Sequence, residues 1–156
     1  MTRLAVFIAT FVYTGLFPFA PGTVGSLGGL VVYGLIARFG AGVVLESAAI
    51  AALYGVGVWA AAAAERHFGG VDPGPVVIDE VVGMLITLFL VPVSVTGAII
   101  GLLLFRVFDI VKPFPAGKLE QLHGGFGVMS DDAMAGIYAN LVLRVLWWLA
   151  PGWIVS

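Results

Sequence analysis

The sequence predicts an all-α membrane protein, a small polytopic bundle of short helices with one polar face at the membrane interface. Three observations carry that expectation. The 156 residues are 61% hydrophobic and 10% charged, where a soluble domain runs at roughly 45–50% and about 25%. A chain this short cannot hide that much apolar surface in one core, because small domains bury a smaller share of their surface, so lipid has to cover the remainder. Apolar runs also alternate with compact polar clusters, and residues 43–64 form a run long enough to cross a bilayer at about 20 residues per span. The mean hydropathy of +1.12 agrees.

The first apolar run covers residues 3–17. Arg3 followed by a stretch ending in "FPFA" has the look of a signal peptide, but Pro21 just past the apparent cleavage point is expected to hinder processing, so the segment is kept as part of the fold. "APGTVGS" (20–26) reads as a turn or helix entry, residues 26–37 as apolar again, and "ARFGAG" (37–42) as a turn. The spanning run 43–64 leads into a polar loop, "ERHFGGVDPGP" (65–75). Residues 76–111 are read as two helices hinged near "VPVSVTG" (91–97), because Pro92 cannot continue a helix ladder and Ser94, Thr96 and Gly97 form turns. This hairpin returns Asp109 to the side where Asp79 begins, and Gly97 with Gly101 would permit close helix contact. Residues 112–130 read as a Gly- and Pro-rich loop, and a last helix is expected from near Asp131 into "LWWLAPGW", whose tryptophans suit a membrane interface.

The chain therefore reads as one membrane-embedded domain, 1–156, of five or six helices, and no oligomeric state is read from it. Three polar loops, 15–26, 65–80 and 106–132, share one face in this layout. Arg66, Arg106, Lys112 and Lys118 lie on that face and Arg38 on the other, which makes the shared face cytoplasmic by the positive-inside rule.

A formal net charge of −2 gives no basic field for nucleic acid. With no cysteine there are no disulfides or thiolate metal sites, and the ligands left are carboxylates and two histidines. Carboxylate oxygen favours hard ions such as Mg²⁺, Ca²⁺ or Mn²⁺.

Five of the nine acidic residues fall in three short clusters at expected helix ends on the shared face: Asp79–Glu80, Asp109 and Asp131–Asp132. A charge embedded in the bilayer costs about 2.5–3.5 kcal/mol at a helix centre, less near the interface, so such residues pair, bind ions or line a polar cavity. Gly83 is four residues after Asp79 and Gly136 four after Asp132. Each acidic pair thus has a glycine one turn further on its own side, where another helix can approach closely. The competing reading is that acids near a helix N-terminus merely complement its dipole, with Ser130 as an N-cap before Asp131.

Arg106, Asp109 and Lys112 are spaced by three and lie along one helix side. They form either a self-satisfied ion-pair ladder or a metal ligand between two phosphate clamps. "PGTVGS" offers backbone N–H groups and the hydroxyls of Thr23 and Ser26 to an anion, or else is a turn with a cap; it lacks the Walker pattern. Of the two loop histidines, His123 is the better candidate than His67, because "LHGGFGVMSDD" runs straight into the acidic pair and its glycines would let backbone approach a ligand.

With these residues in view, the chain resembles the phosphatidylglycerophosphatase A family. The matching pieces are "PGTVGSLGGL", "VIDEVVGMLI", "FRVFDIVKPFPAGKLE" and "HGGFGVMSDDAMAGIYANL", which come in the family's order and cover most of the chain. The resemblance implies Mg²⁺-dependent hydrolysis of phosphatidylglycerophosphate to phosphatidylglycerol and phosphate, at the cytoplasmic face of a bacterial inner membrane. It implies Asp79, Glu80, Asp109, Asp131 and Asp132 as the catalytic, metal-holding acids. Arg106 and Lys112, with Thr23, Ser26 and His123, would bind the phosphate or the glycerol. One departure is "KLEQLHGG" (118–125), where Glu120–Gln121 stands in place of the acid–arginine pair expected there. Two other readings remain open at this stage: a small cation or proton transporter, against which the lack of an inverted repeat argues, and a non-catalytic membrane subunit whose acids meet a partner's basic residues.

Overall fold

Where the apolar run 76–111 breaks decides the architecture. In the computed structural model, which describes residues 2–40, 42–122 and 124–155, it gives α4 (Ile78–Leu88) and α5 (Val95–Val111), separated at 89–94. Leu90 takes a left-handed conformation in the break, and Ser94 caps α5 by accepting a 3.0 Å hydrogen bond from the Gly97 amide. The other helices are α1 (Thr2–Ala9), α2 (Pro21–Arg38), α3 (Val43–Phe68), α6 (Ala116–Leu119), α7 (Gly125–Leu149) and α8 (Pro151–Ile154), with a 3-10 turn at Thr14–Leu16. Among the described residues there is no strand, and one isolated antiparallel bridge joins Val93 to Val155.

Helix α4 is the axis. At about 1.5 Å per residue its 11 residues reach about 16 Å, roughly half a hydrocarbon core. Every residue in it except Glu80 and Ile86 is buried, because α2, α3, α5 and α7 all pack on it. Ile78, Val81 and Val82 join one core cluster with Ala60, Ala61, Ala64 and Met129. Met84 and Leu88 join a second with Phe105, Ala139 and Leu143.

Glycines let the neighbours come this close. A methyl group on Gly136 of α7 would sit 2.5 Å from the Gly83 carbonyl, and one on Gly83 would sit 2.9 Å from the Asp132 carbonyl. The expected close crossing beside both acidic pairs is therefore present, at the contact of α4 with α7. On the opposite side, methyl groups on Gly25 and Gly29 of α2 would lie 2.9 Å from the carbonyls of Val77 and Val81. Gly97 and Gly101 meet different neighbours, the backbone of Ile154 and the side chain of Leu88.

Several boundaries differ from the sequence reading. The first apolar run yields only the eight residues of α1, about 12 Å, before a turn with positive φ at Phe11, Val12 and Tyr13. It buries Ala5, Val6 and Ala9, and its end is tied to the approach to α4 by a 2.9 Å bond from the Val77 amide to the Ala9 carbonyl. Helix α2 starts at Pro21, so of the two readings of "APGTVGS" the helix entry holds, with "PGTVGS" forming its first turns. Helix α7 starts at Gly125, six residues before Asp131. Ser130 is thus no cap: its hydroxyl lies inside the helix, 2.6 Å from the Phe126 carbonyl and 2.7 Å from the Tyr54 hydroxyl. The physical reason is packing, since Gly125 and Gly127 press their backbone onto the carbonyls of Val58 and Leu122, closing the extra turns. These glycines face protein rather than a ligand.

Among the described residues, α3 is the one helix long and apolar enough to cross a membrane, and only 17% of its most apolar 18 residues is buried. A soluble core helix would show the reverse. Large apolar side chains such as Val44 (83% exposed) and Trp148 (81%) face outward, as a lipid-contacting surface requires.

Candidate active site

The N-terminus of α4, the N-terminus of α2, the C-terminal end of α5 and the second turn of α7 converge on one cavity of 250 Å³. Its walls include Pro21, Gly22, Asp72, Asp79, Glu80, Arg106, Asp109, Lys112, Asp131 and Asp132. All five acids and both cations singled out in the sequence are brought together there, from two of the three loops expected to share a face, and the third loop contributes Pro21 and Gly22.

The acids divide into distinct environments. Asp79, Glu80 and Asp132 each offer a carboxylate oxygen within 4.8 Å of the others. Asp79 and Asp132 are 5% and 3% exposed. Asp79 Oδ1, Glu80 Oε2 and Asp132 Oδ2 are buried with no hydrogen-bond partner. Three carboxylates this close cannot all ionise without a counter-charge, and the positive end of α4, where Asp79 and Glu80 sit in the first turn, supplies only part of one.

Asp109 is paired instead with Arg106, whose Nη1 lies 2.6 Å from Asp109 Oδ2 and 3.6 Å from Glu80 Oε1. The same Nη1 makes no aligned hydrogen bond, so the guanidinium is held as a charge between two acids. Gly22 leaves room for it: a methyl group there would lie 2.8 Å from Arg106 Nη1.

Lys112 caps α5 in the left-handed conformation, which turns it off the line of Arg106 and Asp109. Its ammonium donates to Asp131 Oδ2 at 2.7 Å and to Glu120 Oε1 at 2.8 Å. The expected cation–anion–cation stripe is thus half ladder and half not. Burial by itself would lower the Lys112 pKa, but the bonds to Asp131 and Glu120 outweigh it and hold the ammonium above its ordinary range.

Asp72 and Glu120 are site residues that sequence reasoning missed as such. Asp72, Glu120 and Asp131 form a second group of carboxylates with oxygens within 4.8 Å of one another. Burial, then the nearby Asp131, pushes the Asp72 carboxyl up to about 6. Asp72 sits in an irregular loop at positive φ, so no helical spacing links it to the other acids. The one available signal was its place between glycines, six residues ahead of Ile78.

Other candidates stand apart. Ser26 is fully buried and its hydroxyl donates to the Gly22 carbonyl at 2.8 Å. Neither it nor Thr23 is among the residues lining the cavity; Pro21 and Gly22 are the part of that motif which does. His123 lies outside the described residues. His67 lines a larger, mostly apolar cavity of 660 Å³ with Arg3, Val6, Leu16 and Phe68.

A buried set of partnerless carboxylate oxygens beside two fixed cations and a helix N-terminus is suited to binding a divalent cation together with a phosphate. The comparisons with known proteins fit that chemistry. Residues 7–147 match the family model for phosphatidylglycerophosphatase A. A Bacteroides thetaiotaomicron protein provisionally named as a phosphatidylinositol-3-phosphatase is 38% identical over 94% of this chain and 95% of its own length. The phosphatidylglycerophosphatase A of Haemophilus influenzae is 37% identical over 87% of this chain and 85% of its own. That of Escherichia coli K12 is 31% identical over 83% and 76%. No solved structure matches. By the extent of the family match and the near full-length relatives, the chain belongs to the phosphatidylglycerophosphatase A family.

Proposed function

We propose that this chain hydrolyses the terminal phosphate of phosphatidylglycerophosphate, giving phosphatidylglycerol and inorganic phosphate, with Mg²⁺ held by Asp79, Glu80 and Asp132. The observation that carries the proposal is the set of three buried, partnerless oxygens on those residues, in a chain whose relatives are named for this reaction. The donor set fits the ion: hard oxygen ligands, few in number, with room in the cavity for substrate and water to complete the shell. When bound, Mg²⁺ supplies positive charge to the phosphate oxygens and activates water.

The chain's own groups supply the rest. Arg106 and Lys112 line the same cavity and offer N–H donors to the developing charge on the transferred phosphate. Asp109 fixes the Arg106 guanidinium, and Asp131 with Glu120 fixes the Lys112 ammonium. The Gly22 amide, in the first turn of α2, is one of the helix-terminal donors without an intrahelical partner and suits a phosphate oxygen. A water oxygen attacks phosphorus and the bond from phosphorus to the glycerol oxygen breaks; one of the water's protons ends on that glycerol oxygen and the other stays on the released phosphate.

The outward-facing apolar side chains support a polytopic arrangement in a bacterial inner membrane, with α2, α3, α5 and α7 embedded, and Arg66, Arg106, Lys112 and Lys118 favour the cytoplasm for the cavity's side by the positive-inside rule. The lipid's acyl chains then stay in the bilayer while the headgroup enters the polar end.

A second substrate is carried by one observation, the name of the Bacteroides thetaiotaomicron relative. The test therefore uses purified protein in detergent with phosphatidylglycerophosphate and phosphatidylinositol 3-phosphate in parallel. Phosphate release from the first, abolished by EDTA and restored by Mg²⁺, is the expected result. Faster turnover of the inositol lipid would overturn the substrate assignment, and activity that survives EDTA would overturn the metal.

A further inference from the structure

The cavity contains two groups of three carboxylates, and they are filled differently. In the first, Asp79, Glu80 and Asp132 have buried oxygens facing no donor. In the second, Asp72, Glu120 and Asp131, an ammonium is already seated: Lys112 Nζ is 2.7 Å from Asp131 and 2.8 Å from Glu120. Both groups border one cavity, save that Glu120 reaches in only through its ion pair. Two carboxylate groups beside one cavity invite comparison with two-metal phosphoryl chemistry, in which each ion neutralises part of the transferred group.

We propose that Lys112 is the built-in cation of a latent second metal site formed by Asp72, Glu120 and Asp131, so that the chain takes a single exchangeable divalent ion. This rests on the reading above only in that the first trio holds that ion. Three features of the second group point to a cation site rather than a surface ion pair. Asp131 is 3% exposed, and its Oδ1 is buried with no partner even with Lys112 in place. The seated ammonium satisfies Asp131 through Oδ2 alone, so the group holds more acceptor capacity than one lysine uses. Lys112 reaches it from a left-handed backbone position at the end of α5, before Pro113. An ammonium brings one positive charge where a divalent ion brings two, and it cannot be lost by chelation. Its three donors exceed the two engaged here, leaving one for a phosphate oxygen.

The experiment is a calorimetric titration of Mn²⁺ into the purified full chain in detergent. Lys112→Met is expected to bind one more ion per chain than the wild type, and Lys112→Met with Asp131→Asn to lose that extra ion. Lys112→Arg, which keeps the charge, should gain none. Lys112→Gln serves as a second neutral variant should the methionine variant fail to fold. No gain in either neutral variant, or an equal gain in Lys112→Arg, overturns the proposal. The two readings separate because Asp132→Asn should remove one ion from the wild type. If it does not, the first trio is not the metal site, while the difference between Lys112→Met and wild type still decides the role of Lys112.

Discussion

The two ends of α4 hold polar side chains at similar depth and treat them in opposite ways. At the C-terminal end, Asn140 donates to the carbonyls of Thr87 (2.9 Å) and Phe89 (3.0 Å), and Arg144 donates to Phe89 (2.8 Å) and to Asn140 itself (2.8 Å). Glu46 accepts from the Leu90 amide, and the Tyr33 hydroxyl donates to the Val91 carbonyl, both at 2.8 Å. The bonds to Thr87 and Phe89 answer carbonyls left open where the helix stops, and those to Leu90 and Val91 satisfy an amide and a carbonyl in the break that follows. At the N-terminal end lie the buried side-chain atoms left without partners among the described residues, on Asp79, Glu80, Arg106, Asp131 and Asp132. Buried polar groups are normally paired, and unpaired ones signal a missing ligand or ion. One end of α4 is thus finished by the chain and the other is left for substrate and cation to finish.

That contrast is sharpest in Asp132→Asn. It should cut phosphate release by at least about a hundredfold, since several kcal/mol of transition-state charge stabilisation depends on the ion and about 1.4 kcal/mol is a factor of ten. Its melting midpoint without divalent ions should be unchanged or higher, because one repelling charge is gone. A large drop in melting midpoint would instead make the trio structural.

Gly136→Ala tests whether the close crossing sets the trio's geometry. The added methyl would meet the Gly83 carbonyl at 2.5 Å, so α4 and α7 must part. Overpacking of this kind costs roughly 1–3 kcal/mol in stability, and a displacement near 1 Å costs about a hundredfold in rate. Activity should therefore fall even at temperatures where the variant is fully folded. Full activity there would show that the crossing does not position the acids.

Asn140→Leu probes the finished end. It strands the Thr87 carbonyl and the Arg144 Nε–H, while Phe89 keeps its bond from Arg144, at roughly 1–3 kcal/mol per stranded group, and should lower the melting midpoint while leaving kcat within about twofold. Loss of kcat in protein that remains folded would erase the distinction between the two ends. The smallest effect is expected from Ser94→Ala, which removes the cap of α5 at a cost of about 1 kcal/mol, read as a small shift in thermal unfolding with no change in Mg²⁺ response.

The break between α4 and α5 was legible because Pro92, Ser94 and Gly97 each have local reasons to stop or start a helix. The crossing of α4 with α7 was legible in the matched spacing of Asp79–Gly83 and Asp132–Gly136. The start of α7 was not, because Gly125 and Gly127 read as loop formers until Val58 and Leu122 are beneath them. Thr23 and Ser26 drew notice as hydroxyls, yet the motif's part at the cavity is played by Pro21 and Gly22. Asp72 and Glu120 carried no periodic signal, being placed by a loop and by a four-residue helix.

By itself the sequence determined that much of the surface is apolar, that the run 76–111 breaks near Pro92, that Gly83 and Gly136 allow close contact, and that the few charges concentrate in three acidic clusters. Those are properties of composition and of spacing within a helix turn. Tertiary structure alone decided how the acids divide: Asp79, Glu80 and Asp132 together without a donor, Asp109 with Arg106, and Asp131 with Lys112, Glu120 and Asp72. The reason is that ion pairing depends on where a long side chain comes to rest. For Lys112 that was set by a left-handed residue at the end of α5 and by α7 packing 19 residues further along the chain.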